Sequence, residues 1–152
     1  MNIIIYASFH HKNTETIAKA MGSVLDAKTI NFLDAKKESV ETADLVGFGS
    51  GVYYAKFHKG LLNFVKKLPD AGGKKAFIFS TAGIKQNPFL NRGHKSIRKI
   101  LQDKNFKIIG EFDCLGHDSN GFLKYFGGIN KGKPDKKDIE KAKDFARNLC
   151  RT

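Results

Sequence analysis

Hydroxyl-bearing residues occur in three separate segments, each directly after a run of apolar residues. The first segment, residues 8–15, reads Ser-Phe-His-His-Lys-Asn-Thr-Glu and leads into a helical pattern. A helix start offers unpaired N–H groups and the positive end of the helix dipole, so the Ser8 and Thr14 hydroxyls with these amides would form an anion cradle. A phosphomonoester fits such a cradle. Read alone, the segment equally suits a helix start capped by Asn13 or Thr14.

The second segment, residues 50–56, reads Ser-Gly-Val-Tyr-Tyr-Ala-Lys after a strand-like run. Gly51 tolerates two peptide orientations, and Tyr53 or Tyr54 offers an aromatic face for a planar ring. Exposed tyrosines in a loop are more often ordinary surface residues. The pair of rings directly after Ser-Gly-Val favours a ring-binding loop.

The third segment is Ser80-Thr81-Ala82-Gly83, again after a buried run. It supplies hydroxyls and backbone amides in a glycine turn. In isolation it suits a plain turn at the end of a strand equally well.

Short apolar runs alternate with amphipathic helical stretches along the whole chain, which is typical of an α/β fold with a parallel sheet. Five strands are predicted at 2–7, 28–32, 44–50, 75–81 and 106–115. Helices are predicted at 14–25, 58–68 and 91–103 and in the last segment, where Asp135 is the expected N-cap. The long loops 82–90 and 116–134 follow predicted strands, at the edge where open α/β sheets bind ligands.

The three segments, in this order at successive strand ends, resemble flavodoxins. The first matches their phosphate loop ending in Asn-Thr-Glu, although His10, His11 and Lys12 replace the familiar Thr-Gly and the loop is one residue longer. The resemblance implies a single domain over 1–152, folded as a three-layer sandwich with helices on both faces of a five-stranded parallel sheet. The implied strand order is 2-1-3-4-5, an order for which flavodoxin is itself a standard example. It also implies FMN as cofactor, bound by the following residues: Ser8, His10, His11, Lys12, Asn13, Thr14, Ser50, Gly51, Val52, Tyr53, Tyr54, Ser80, Thr81, Ala82 and Gly83.

The function implied by the resemblance is one-electron transfer between redox proteins. No acid–base pair for a substrate is evident, so no catalytic residue is assigned. The alternative is an FMN-dependent NAD(P)H oxidoreductase acting on a quinone or another small acceptor, with Phe122, Tyr125 and Phe126 lining a pocket. A third interpretation is a binding module that uses a basic face and no flavin.

Composition restricts the partners. The 152 residues carry 27 Lys and Arg against 15 Asp and Glu, a formal net charge of +12. Such a surface favours redox partners with acidic docking surfaces. Nucleic acid is not expected, because no recognised nucleic-acid-binding motif accompanies the basic residues.

The sequence lacks the motifs of other chemistries that are common in α/β proteins. Neither Gly73-Lys74 nor Gly132-Lys133 continues as a phosphate loop, and the alternating glycines 47, 49 and 51 lack dinucleotide-binding spacing. No metal site is expected from the isolated His and Cys residues.

Without a signal peptide or a membrane-length apolar run, the sequence predicts a cytoplasmic protein. In that compartment, Cys114 and Cys150 are expected to be reduced and at least half-buried.

Overall fold

Strands and helices alternate throughout the chain in the computed structural model, which describes residues 1–9, 12–53, 56–82, 92–116 and 132–152. The strands are β1 (Asn2–Ala7), β2 (Ala27–Asn31), β3 (Leu45–Tyr53), β4 (Lys56–Phe57), β5 (Lys75–Ala82) and β6 (Lys107–Leu115). The helices are α1 (Asn13–Leu25), α2 (Lys37–Thr42), α3 (Lys59–Lys66), α4 (Arg92–Asp103) and α5 (Lys136–Leu149), with a 3-10 turn at Phe32–Asp34.

Five of the strands form a parallel sheet in the order β2-β1-β3-β5-β6. The two-residue strand β4 folds back to pair antiparallel with the end of β3. Without β4, the order is the predicted 2-1-3-4-5. The sequence-based fold class is therefore confirmed, because each long apolar run became a parallel strand.

The helices divide between the two faces of the sheet. One core cluster contains Leu61 and Val65 of α3, Ile97 and Leu101 of α4, and Val40 of α2. The other cluster contains buried residues of α1 and α5, namely Ile17, Ala18, Met21, Leu25, Ala142, Ala146 and Leu149. We call these the α3/α4 face and the α1/α5 face.

The sequence analysis missed the shortest elements. Helix α2 buries only Val40, and β4 is two residues long, so neither offers enough periodicity to detect. The predicted N-cap of α5 is confirmed: the Asp135 carboxylate accepts a hydrogen bond from the backbone N–H of Asp138, and the Asp138 carboxylate accepts one from Asp135 in return.

Both cysteines are free thiols, as predicted. Cys114 is buried, and burial raises the pKa of its thiol to about 12. The expectation that Cys150 is at least half-buried is wrong, because it lies exposed at the carboxyl end of α5.

Two of the alternating glycines make room for aromatic rings. Gly47 and Gly49 of β3 pair with Phe77 and Phe79 of β5 on the α1/α5 face. A Cβ at Gly47 would lie 2.3 Å from Phe77 Cζ, and one at Gly49 would lie 2.0 Å from Phe79 Cζ. The alternation thus reflects packing between neighbouring strands.

Among the described helices, none combines the length and the apolar character needed to span a bilayer.

Candidate functional site

The three predicted segments converge at the carboxyl edge of the sheet. The strand register places Ala7 beside Ser50, and Ser50 beside Ser80. Ser80 in turn pairs with Asp113 of β6. The carboxyl ends of β1, β3 and β5 therefore lie side by side, as the parallel topology requires.

The turn after β1 is held by backbone geometry rather than by the predicted side-chain caps. Lys12, in the N-cap position of α1, has left-handed backbone angles (φ 52°, ψ 33°) and makes no side-chain cap. The N–H of Glu15 donates to Ser8 Oγ at 3.2 Å, so Ser8 supplies the hydroxyl at the helix start. The alternative of an Asn13 or Thr14 N-cap is wrong, since both lie within the helix.

Thr14 connects the first segment to the third. Its side chain is buried, and its Oγ1 lies 2.9 Å from Thr81 Oγ1 at the end of β5. Gly116, directly after β6, also lies close to the start of α1, since a Cβ added there would come within 2.6 Å of Asn13 Nδ2. The start of α1 is therefore packed against the ends of β5 and β6.

Ser50, from the second segment, is committed to the turn between β3 and β4. Its Oγ donates to Gly51 O at 2.6 Å and accepts from the N–H of His58 at 3.0 Å. Gly51 is buried and Val52 is partly buried, opposite Phe57 of β4. The hydroxyl thus ties the end of β3 to the start of α3.

His58 joins the first segment to the second. Its Nδ1 accepts a hydrogen bond from Gly60 N at 3.0 Å, which caps α3. The Phe9 ring stacks on its imidazole with centroids 4.7 Å apart, and Phe32 approaches at 5.2 Å. Burial lowers the pKa of His58, which keeps Nδ1 available as an acceptor.

Ser80 begins a chain of hydrogen-bonded polar groups on the α3/α4 face. The chain is buried at Ser80 and His94 and partly exposed at Glu111 and Arg98. Ser80 Oγ lies 2.6 Å from His94 Nε2, and His94 Nδ1 lies 2.9 Å from Glu111 Oε1. A carboxylate only accepts, so His94 Nδ1 donates to Glu111, and Nε2 shares the second hydrogen bond with the Ser80 hydroxyl. The Arg98 guanidinium completes the chain by donating to both carboxylate oxygens, at 2.7 and 3.0 Å.

Glu111 is ionised in this chain. Burial opposes its charge, but hydrogen bonds from His94 and Arg98 outweigh that cost and lower the pKa of Glu111 to about 2. The arrangement of serine, histidine and carboxylate is that of a nucleophilic triad. Ser80 and His94 are, however, almost wholly inaccessible, at 0% and 1% relative exposure. The chain therefore fixes β5, α4 and β6 together beneath the site.

Four predicted site residues, His10, His11, Tyr54 and Gly83, lie outside the described residues. Tyr53 is described only as the last backbone position of β3. Ala82 ends β5, where its carbonyl accepts a hydrogen bond from Gly116 N at 2.9 Å. The assignment of all these residues to a cofactor stays a prediction.

The sequence analysis did not single out His94, Glu111 or Arg98. Glu111 lies 17 residues beyond His94 and in a different element, so no local spacing joins them. The one available signal was the presence of a histidine and an arginine one turn apart in a predicted helix.

The polar groups at this edge suit a phosphorylated ligand. Ser8, Lys12 and the first-turn amides of α1 lie at one helix start, where anions are stabilised. The Thr14 and Thr81 hydroxyls lie beside them.

Comparison with known proteins identifies the class. The sequence model described as "Flavodoxin domain" matches residues 3–116, and the chain therefore belongs to the flavodoxin family.

Individual relatives agree with this membership. An uncharacterized protein of Methanocaldococcus jannaschii is 46% identical over 150 residues, covering 98% of this chain and 97% of its own. Oxidised flavodoxin 1 of Bacillus cereus superposes with a TM-score of 0.73 at 16% identity, covering 99% of this chain and 98% of its own. A Fusobacterium nucleatum flavodoxin bound to flavin mononucleotide gives a TM-score of 0.68 at 15% identity, covering 99% and 97%. At such identities the two solved structures establish the fold alone.

Proposed function

We propose that this chain binds FMN at the carboxyl edge of its sheet and carries single electrons between redox proteins. The observation that carries the proposal is that the carboxyl ends of β1, β3 and β5 lie side by side, with the start of α1 joined to the end of β5 by the buried Thr14–Thr81 hydroxyl pair. Family membership and a solved flavodoxin that holds flavin mononucleotide support the same cofactor.

The chain's own residues bind and orient the cofactor. The start of α1 takes the phosphate, with Ser8, Lys12 and backbone amides as donors. The turn after β3, held by Ser50 and His58, presents the tyrosine segment to the ring. The bound flavin itself supplies one-electron chemistry.

Binding of FMN and riboflavin distinguishes this site from a general flavin pocket. Fluorescence quenching of each flavin by the apoprotein should give a riboflavin affinity about 100-fold weaker than that of FMN, equivalent to about 2.8 kcal/mol, because only FMN has the phosphate. Equal affinities would contradict the phosphate assignment. Lys12→Gln should weaken FMN binding several-fold and leave riboflavin unchanged. Lys28→Gln, at an exposed position at the opposite end of the sheet, should alter neither.

NAD(P)H oxidation, measured with and without an added flavin reductase, tests the carrier role. The purified holoprotein should oxidise NAD(P)H only when a separate flavin reductase is added, and should then pass electrons to a second protein. Rapid NAD(P)H oxidation by the protein alone with a quinone acceptor would instead establish the oxidoreductase alternative. A protein that fails to bind added FMN would remove both interpretations.

A further inference from the structure

The positive charge of the chain is concentrated in one stretch. Residues 45–102 contain a single carboxylate, Asp70. The same stretch contains eleven cationic residues, which are Lys56, Lys59, Lys66, Lys67, Lys74, Lys75, Lys85, Arg92, Lys95, Arg98 and Lys99. The stretch therefore contributes ten of the twelve formal positive charges, and the rest of the chain is almost balanced.

Helices α3 and α4 both lie in this stretch and pack on the same side of the sheet, so their charged residues share one surface. Lys59, Lys66 and Lys95 are exposed there, and none of them forms an ion pair with another described residue. The two helices hold six Lys or Arg and one carboxylate, Asp103. Two of these cations are paired, Arg98 with Glu111 of β6 and Lys99 with Asp103.

The opposite face has as many cations but more carboxylates. Helices α1 and α5 also hold six Lys or Arg, together with Glu15, Asp138, Glu140 and Asp144. Ion pairs join Lys19 to Glu15 and Lys143 to Glu140. Helix α2, on the same side as α3 and α4, adds one Lys and two Glu, so the helices of the α3/α4 face hold seven Lys or Arg against three carboxylates, a net charge of +4, compared with +2 for α1 and α5. The larger excess of positive charge therefore lies on the α3/α4 face.

The basic surface reaches the candidate site. Helices α3 and α4 begin at the carboxyl edge of the sheet, so Lys59, the first residue of α3, lies next to the His58 that caps that helix. Lys95 directly follows His94, whose ring contacts Ser80 at the end of β5. A partner on these lysines would therefore lie beside the turns proposed to hold the cofactor.

We propose that the α3/α4 face is the docking surface for an acidic redox protein, an inference that rests on the proposed carrier function. A carrier must bring its partner close to the cofactor, and opposite charges speed that encounter and orient it. Single-stranded nucleic acid is less well matched, since its binding sites use exposed aromatic platforms. Among the described residues, the exposed large apolar side chains are Met1, Phe9 and Leu33, which belong to neither α3 nor α4.

Two variants with equal charge change test the surface. The first combines Lys59→Gln, Lys66→Gln and Lys95→Gln. The control combines Lys136→Gln, Lys137→Gln and Lys141→Gln on α5, three exposed lysines of the α1/α5 face. The probe is a dye-labelled acidic ferredoxin, whose binding is followed by fluorescence anisotropy at about 0.02 M and 0.5 M salt, a range over which the Debye length shrinks several-fold.

The wild-type protein should bind the ferredoxin at low salt and lose most of that binding at high salt. The α3/α4 variant should bind about tenfold more weakly at low salt, and the α5 variant should match the wild type. Equal weakening by both variants, or no salt-dependent binding, would overturn the assignment. The assignment would also be overturned if the α3/α4 variant lost binding to a dye-labelled single-stranded DNA and kept its binding to the ferredoxin. Because anisotropy needs no flavin on this chain, a separate visible spectrum after FMN addition tests the proposed function independently.

Discussion

Strand β5 ends with two neighbouring hydroxyls that point to opposite faces of the sheet and have very different surroundings. Ser80 faces α4 and begins a chain of titratable groups that runs through His94 to Glu111 and Arg98. Thr81 faces α1 and bonds the neutral hydroxyl of Thr14. The same strand end is therefore held by charge on the α3/α4 face and by a neutral pair on the α1/α5 face.

The two faces of the sheet also differ in their apolar packing. On the α1/α5 face, the rings of Phe77 and Phe79 occupy the space left by the glycines of β3. On the α3/α4 face, Phe48 of β3 carries its own ring, which meets Phe106 at 5.7 Å. The comparison indicates that one face depends on close apolar fit and the other adds a pH-sensitive polar chain. Each dependence predicts a distinct response to substitution.

The largest effect is expected at the glycine contact. Gly49→Ala places a methyl group 2.0 Å from Phe79 Cζ in a strand pair with fixed register, so the ring or the strand must move. Overpacking of this kind costs about 1–3 kcal/mol or more of unfolding free energy. Urea unfolding followed by circular dichroism measures the loss.

Phe79→Leu provides the matched control, because it removes the ring atoms that the new methyl group would meet. The Gly49→Ala/Phe79→Leu double variant should therefore be more stable than the sum of the single effects predicts. Strict additivity would mean that the ring is not what excludes the methyl group.

An effect of intermediate size, on the order of 2 kcal/mol, is expected from Glu111→Gln on the other face. The pKa of Glu111 in the folded chain lies near 2, below its ordinary value of 4.5. The carboxylate therefore stabilises the fold above about pH 4.5, and this contribution is lost as the pH falls toward 2. The variant should be less stable at pH 7, and its deficit should shrink over that acid range. Unfolding curves between pH 7 and pH 2.5 measure both.

Glu140→Gln on α5 is the control for this titration. Its carboxylate is exposed and lies 3.7 Å from Lys143, so its removal should cost less than about 0.5 kcal/mol. A deficit in Glu111→Gln that stays constant from pH 7 to pH 2.5 would contradict the charged role of the chain.

The strands could be predicted because each long apolar run is a local pattern that a parallel sheet must bury. Their order came from the resemblance to flavodoxins and not from the runs themselves. Features that depend on the pairing of distant residues were not predictable in this way. The role of Gly49 in packing becomes clear only when Phe79 is known to lie beside it. The partner of His94 is Glu111, which lies on a different element, β6. Among the candidate site residues, the sequence identified both Thr14 and Thr81. Their contact became visible only once the register of the sheet was known.

The smallest effect is expected from that threonine pair. Thr14→Val keeps the shape of the buried side chain, which is only 2% exposed, and removes its hydroxyl. Thr81 then loses a partner at 2.9 Å, which should cost about 1 kcal/mol of unfolding free energy. Because neither hydroxyl titrates, the loss should be the same at pH 7 and pH 4, unlike that of Glu111→Gln.

The Thr14→Val/Thr81→Val double variant should be no less stable than either single variant, since it leaves no unpaired hydroxyl behind. Urea unfolding of the four proteins gives the coupling energy between the two residues. A coupling near zero would show that the two hydroxyls do not hold the start of α1 to the end of β5, and the α1/α5 face would then rest on apolar packing alone.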